Sequence, residues 1–160
     1  MNEVTTTQYA TDARSRKLDA ARAVGIDDAL ISRLVEAFYS QVRNDDLLGP
    51  IFSAHVSNWN PHLARMKDFW ASIIMESGRY LGQPMQKHIT IGGLEQRHFD
   101  RGLTLWRSTV DSLVTNPQAA EQFRSSADRI AKSLLMGIQI QRGGLDAVLQ
   151  RKGGNHFDGS

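Results

Sequence analysis

The chain contains no cysteine. That excludes a disulfide framework, a thiolate nucleophile, and zinc or iron–sulfur centres held by cysteine. It fits a reducing cytoplasm, the expected setting. No apolar run approaches the roughly 20 residues that a membrane-spanning helix needs, so no membrane association is expected. The opening residues, Met1 to Ala10, are polar and lack the apolar centre of a signal peptide. An excess of one charge is missing as well: 19 Lys and Arg stand against 17 Asp and Glu, for a net charge of +2. The basic residues are scattered rather than gathered into the patch that a nucleic-acid binder needs. No two-residue alternation is long enough for a strand, and no internal repeat is present.

What is there is helical periodicity. At 160 residues, 41% of them hydrophobic, the chain is expected to fold as one domain with a substantial core. Residues 1–11 read as a disordered tail, 12–142 as the folded unit, and 143–160 as a flexible tail. A first helix is expected from Asp12 to Val24, stopped by Gly25 in a position that tolerates positive φ. Asp27 then caps a second helix, with Ile26 stapled onto Ile31. Ile31, Leu34, Val35, Phe38 and Val42 follow the spacing of one apolar helical face, which should end near Asn44, before Gly49-Pro50. After an irregular stretch, Asn60-Pro61 reads as a cap followed by proline at the first helical position. Leu63, Met66, Phe69, Trp70, Ile73 and Ile74 form the stripe of that helix. Another helix spans Leu94 to Leu113, with Phe99, Leu103, Trp106 and Val110 facing inward. Asn116-Pro117 opens the last, through Phe123, Ala127, Ile130, Leu134 and Ile138, with Gly143-Gly144 as its expected end. The chain is all-α. Between Gly78 and Gly93 the glycines and Pro84 allow at most a turn or two of helix, and His88 lies in that connector.

His62 and Met66 are four residues apart and so share a helical face, which Phe69, Trp70 and Ile73 extend. Tyr39, beside Phe38 on the preceding helix, can bring a ring and a hydroxyl to the core boundary. A histidine, a tyrosine and large apolar groups opposite a second histidine, His88, outline a haem pocket in which one imidazole binds iron. Each piece also has a plainer reading. His62 suits a satisfied boundary histidine, Phe69-Trp70 ordinary core, and His88 a solvated loop residue. A cofactor-free helical interaction module fits the spacing too, although it leaves two inward histidines without a role.

The wording of the segments goes further. Ala23-Val24-Gly25-Ile26-Asp27, Leu34-Val35-Glu36-Ala37-Phe38-Tyr39, Leu48-Gly49-Pro50-Ile51-Phe52 and His62-Leu63-Ala64-Arg65-Met66-Lys67-Asp68-Phe69-Trp70 are followed by Ser77-Gly78-Arg79-Tyr80, Gly82-Gln83-Pro84-Met85, His88 and Arg97-His98-Phe99-Asp100-Arg101. In these motifs and their order, from about Ala20 to Gln141, the chain resembles a truncated haemoglobin of the third group. The resemblance implies a two-over-two α-helical sandwich around haem b, with a short or partly unwound proximal helix. His88 matches the proximal iron ligand, Tyr39 the distal tyrosine and His62 the distal histidine. Met66 matches a position one turn along the distal helix. Phe52 and Trp70 fall at pocket walls, and Arg65 and Lys87 are candidates to meet the haem propionates.

One residue departs from the pattern. Where the family's helix usually carries tryptophan directly after the motif His98-Phe99-Asp100-Arg101, this chain has Gly102. Glycine inside a helix costs roughly 0.5–1 kcal/mol against alanine, and it leaves the volume of an indole to be filled. Trp106, one turn on, is expected either to lean into that space or to leave an enlarged ligand pocket made of Tyr39, His62, Met66, Gly102 and Trp106. The function implied by the resemblance is binding of oxygen, nitric oxide, carbon monoxide or cyanide at a His88-ligated iron. The alternative is haem-dependent catalysis in the same pocket, with Tyr39 and His62 as the groups that would act. It covers peroxidase-like turnover, nitric oxide dioxygenation supplied by a reductase partner, and, for an engineered form, carbene transfer. The sequence is compatible with more than one oligomeric state.

Overall fold

The computed structural model describes residues 2–75 and 94–158, with side chains from residue 11 to residue 140 within those ranges. Among the described residues there are six helices and no strands: α1 (Asn2–Ala23), α2 (Asp28–Arg43), α3 (Gly49–His55), α4 (Trp59–Met75), α5 (Gln96–Leu113) and α6 (Pro117–Asp158). The expected connector between Gly78 and Gly93, and with it Lys87 and His88, lies outside the described residues.

Local chemistry explains most of the boundaries. Gly25 takes φ +84° and turns the chain out of α1. The Asp27 carboxylate accepts from the Leu30 N–H at 2.8 Å, satisfying a donor in the first turn of α2. Asn44 closes that helix, its N–H donating to the Gln41 and Val42 carbonyls. The Asn116 side chain accepts from the N–H groups of Gln118 and Ala119 at the start of α6. In each case the cap is the one the sequence indicates.

Four boundaries differ from the sequence reading. The stretch after Asn44 is not irregular throughout: Gly49-Pro50 opens α3, because proline suits the first turn of a helix as well as it ends one. Gly49 is required there, since a Cβ would sit 2.9 Å from the Arg43 carbonyl oxygen. Helix α4 starts at Trp59, and the side chain that accepts from its first turn is Asn58, bonded to the Asn60 N–H at 3.3 Å, not Asn60 itself. Helix α1 begins at Asn2 rather than Asp12. Helix α6 passes through Gly143-Gly144 to Asp158; glycine lowers helix propensity without forbidding the conformation.

Helices α2 and α4 pack as one pair and α5 and α6 as another, with α2 also lying on α5 and α4 touching α6. Helix α1 packs on α4, and α3 on α2. The core between the pairs holds Ile31, Leu34, Val35, Val110 and Phe123, all 2% exposed or less. Each such side chain contributes about 1.5–3 kcal/mol by leaving water. Aromatic rings form the joint between the layers. Trp70 of α4 stacks on Trp106 of α5 at 4.5 Å and 10°, and both rings approach Phe123 of α6. The Trp106 indole N–H donates to the Phe123 carbonyl at 3.0 Å. One polar tie is buried beside it: Gln41 donates to the Thr109 hydroxyl at 2.7 Å, linking α2 to α5.

Candidate functional site

A cavity of about 670 Å³ opens between the helix pairs, within the range of cofactor and ligand pockets. The residues singled out by sequence that the structure describes meet there: Tyr39 from α2, Phe52 from α3, and His62, Arg65, Met66 and Trp70 from α4 all line it. Gly102 and Trp106 of α5 line it as well. Among the described residues no helix is long and apolar enough to cross a membrane.

Where Tyr39, Phe52 and His62 line the cavity, four rings crowd together. Tyr39 and His62 meet edge to face at 4.9 Å, a geometry that the ring quadrupoles favour. Phe52 lies 5.9 Å from Tyr39 and 6.4 Å from His62. Trp59 completes the box, stacked on Phe52 at 6.5 Å and edge-on to His62 at 5.5 Å. The Arg43 guanidinium lies over the Trp59 ring at 4.7 Å and holds it from outside. The helices impose this arrangement. Trp59, His62 and Met66 follow one another at spacings of three and four on α4, so they share the face turned to α2. The His62 Nε2 is buried within the box.

Trp59 was not among the sequence candidates. Its signal was the same stripe continued one turn toward the N-terminus, concealed by taking Asn60 as the cap. His98 was also missed. It is buried, lines the cavity, and accepts from the Glu95 N–H at Nδ1 at 3.0 Å, which leaves its ring proton on Nε2. Its place in the motif Arg97-His98-Phe99-Asp100-Arg101 signals its position but not this bond.

A charged pair anchors Leu48, one of the lining residues. Asp45, at the α2–α3 corner, is buried and accepts from the Leu47 and Leu48 N–H groups and from the Arg101 side chain, whose Nε and Nη2 both lie 2.7 Å from its Oδ1. Burial pushes the Asp45 carboxyl up. The hydrogen bonds from Arg101, Leu48 and Leu47, together with the guanidinium charge, outweigh this and hold it below its ordinary value. The pair fixes Leu48 against α5 next to Gly102.

Gly102 itself answers no backbone requirement. It sits inside α5, and a Cβ placed on it would meet only the Leu48 Cδ1, at 4.0 Å. Trp106 does not lean into the space, contrary to one of the sequence expectations. Its ring is clamped on Trp70 and its N–H is engaged by Phe123.

No family model matches the chain. It is 33% identical over 110 residues to the group 3 truncated hemoglobin ctb of Campylobacter jejuni, a match spanning 66% of this chain and 86% of that protein. The crystal structure of the group III truncated hemoglobin from Campylobacter jejuni superposes with a TM-score of 0.67 at 31% identity, over 71% of this chain and 91% of that one. The paired helices, the ring-lined cavity between them and these two likenesses agree, and the chain belongs to the group III truncated haemoglobins.

Proposed function

We propose that this chain binds haem b in the cavity between the helix pairs, that His88 supplies the axial imidazole, and that the bound cofactor takes small ligands such as oxygen, nitric oxide, carbon monoxide or cyanide. The observation that carries the reading is the cavity itself. It has room for a flat macrocycle and walls that are mainly aromatic and aliphatic, with a histidine and a tyrosine side by side. These residues fit a porphyrin, which has apolar faces and carboxylates at one edge. Arg65, exposed at the rim, and Lys87 are the cations that would meet those carboxylates. Bound haem would supply an iron able to take such a small ligand.

The chain's own groups then set which ligand is favoured. The Tyr39 hydroxyl donates a hydrogen bond to a polar ligand, and His62 offers an imidazole nitrogen beside it. Phe52, Trp59 and Met66 exclude water from the same volume, which strengthens any such bond. The space at Gly102 favours a second reading, catalysis, in which His62 Nε2 accepts a proton from a peroxide in the cavity and returns it. Dioxygenation of nitric oxide would additionally draw electrons from a reductase partner in the cytoplasm.

The test is haem retention. Wild-type protein loaded with haemin should show a Soret band that shifts when carbon monoxide is added to the reduced form. His88→Ala should lose haem to a scavenger protein on the order of 100-fold faster, beyond the effect of removing an outer-shell partner. Unchanged haem content in that variant would refute the axial assignment.

A further inference from the structure

Three glycines among the described residues fall into two kinds. Gly25 has a positive φ and Gly49 a carbonyl oxygen where its Cβ would be, so each is dictated by backbone geometry. Gly102 meets neither condition, yet it interrupts the cavity face of α5. What it contributes is volume. The neighbours that might refill that volume are held elsewhere. Trp106 is stacked on Trp70 and bonded to Phe123, and Leu48 is fixed by the Asp45 corner with its Cδ1 at 4.0 Å. The space beside Gly102 is met by Leu48; Leu103 and Trp106 line the same cavity, and the Trp106 indole N–H is engaged by the Phe123 carbonyl. The polar side chain that α5 does bring to the cavity, His98, lies one turn nearer the N-terminus with its Nδ1 held by Glu95.

A diatomic ligand has no use for an apolar bay of this kind in the pocket wall. We propose that the bay at Gly102 receives the apolar tail of a larger ligand, a molecule with a coordinating head and a short alkyl or aryl substituent. The inference rests on the haem reading above and names the ligand class that this site admits. The head is directed by Tyr39 and His62, and the tail lies against Leu48, Leu103 and Trp106. A side chain grown from position 102 occupies the same space as the tail. It therefore competes with the tail while leaving a two-atom ligand room to bind.

Haem-loaded wild type, Gly102→Ala and Gly102→Leu, reduced, would be titrated with carbon monoxide and with n-butyl isocyanide, followed by the Soret band. Gly102→Ala adds only a methyl group to a helix and keeps the comparison available should the leucine variant fold poorly. The isocyanide affinity should fall in the order glycine, alanine, leucine, by about tenfold or more at leucine, as a few methylenes of lost space imply. Carbon monoxide affinity should change by a smaller factor than the isocyanide affinity, so the ratio of the two affinities is the readout. Without haem, Gly102→Ala and Gly102→Leu should melt above the wild type, because they fill a void and raise helix propensity. Normal carbon monoxide binding in the wild type with a ratio indifferent to residue 102 would overturn the bay alone. No carbon monoxide response in the wild type would overturn the haem reading and the proposal with it.

Discussion

Two neighbouring parts of the cavity wall are built on opposite principles. At one, Tyr39, Phe52 and His62, with Trp59 packed against them, form a cluster of rings 4.9–6.5 Å apart. At the other, Gly102 leaves room and the nearby Trp106 N–H is directed away to a backbone carbonyl. The crowded part draws its side chains from α2, α3 and α4, the roomy part from α5 and the α2–α3 corner. In the proposed reading, directional hydrogen bonding falls to α2 and α4 and accommodation of bulk to α5.

The strongest way to break this division is to release Trp106. Trp106→Ala removes a buried indole from the joint between the layers and should cost about 3–5 kcal/mol, read by urea denaturation. A much smaller loss would mean that the ring does not hold the roomy part open. Next comes Asp45→Asn, which weakens the tie between Leu48 and Arg101. Because Arg101 is half exposed, the expected cost at neutral pH is about 1–2 kcal/mol. Its sign with pH follows from the lowered carboxyl. The wild-type advantage is complete above the ordinary value of 3.8 and is lost as pH falls through the depressed folded value. Urea midpoints of wild type and variant should therefore converge in acid, and a gap unchanged near pH 3 would contradict the assignment.

Tyr39→Phe sharpens the comparison from the other side. It removes a donor from the crowded part and should speed release of a polar diatomic by about 2–10-fold, the worth of one hydrogen bond, measured by stopped-flow ligand replacement. The isocyanide dependence on residue 102 should survive it. The smallest effect is expected from trimming the chain. We propose residues 12–142 as the folding unit, since the buried core among the described side chains runs from Ala21 to Ile138. That shortened chain should match the full one within about 0.5 kcal/mol and retain haem equally well.

Much of this architecture was legible from residues alone. Asp27, Asn44 and Asn116 act as caps because short polar side chains at those positions have a single local use, and the apolar stripes of α2 and α5 name their buried faces. The failures share a cause: one residue type serves two local purposes. Pro50 starts α3 although the same residue can mark a stop, and Asn58 rather than Asn60 accepts from the first turn of α4. Gly143-Gly144 reads as an end, yet α6 continues through it. Missing that first turn concealed Trp59, a member of the ring box. Gly102 stood out as a departure from the family, but the fate of the space it leaves depends on Trp70 and Phe123. Those residues are distant in sequence and meet Trp106 only after the layers close.

The stacked Trp70–Trp106 pair has an optical consequence. Two indoles 4.5 Å apart and nearly parallel are close enough for their excited states to mix, and they should give a strong near-ultraviolet dichroism signal that vanishes once specific packing is lost. The third tryptophan, Trp59, stands apart from them in the ring box, beneath Arg43. The protein thus carries two intrinsic spectroscopic reporters, one for the joint between its layers and one for the ring box. Their signals would reveal whether the two regions melt together or one after the other.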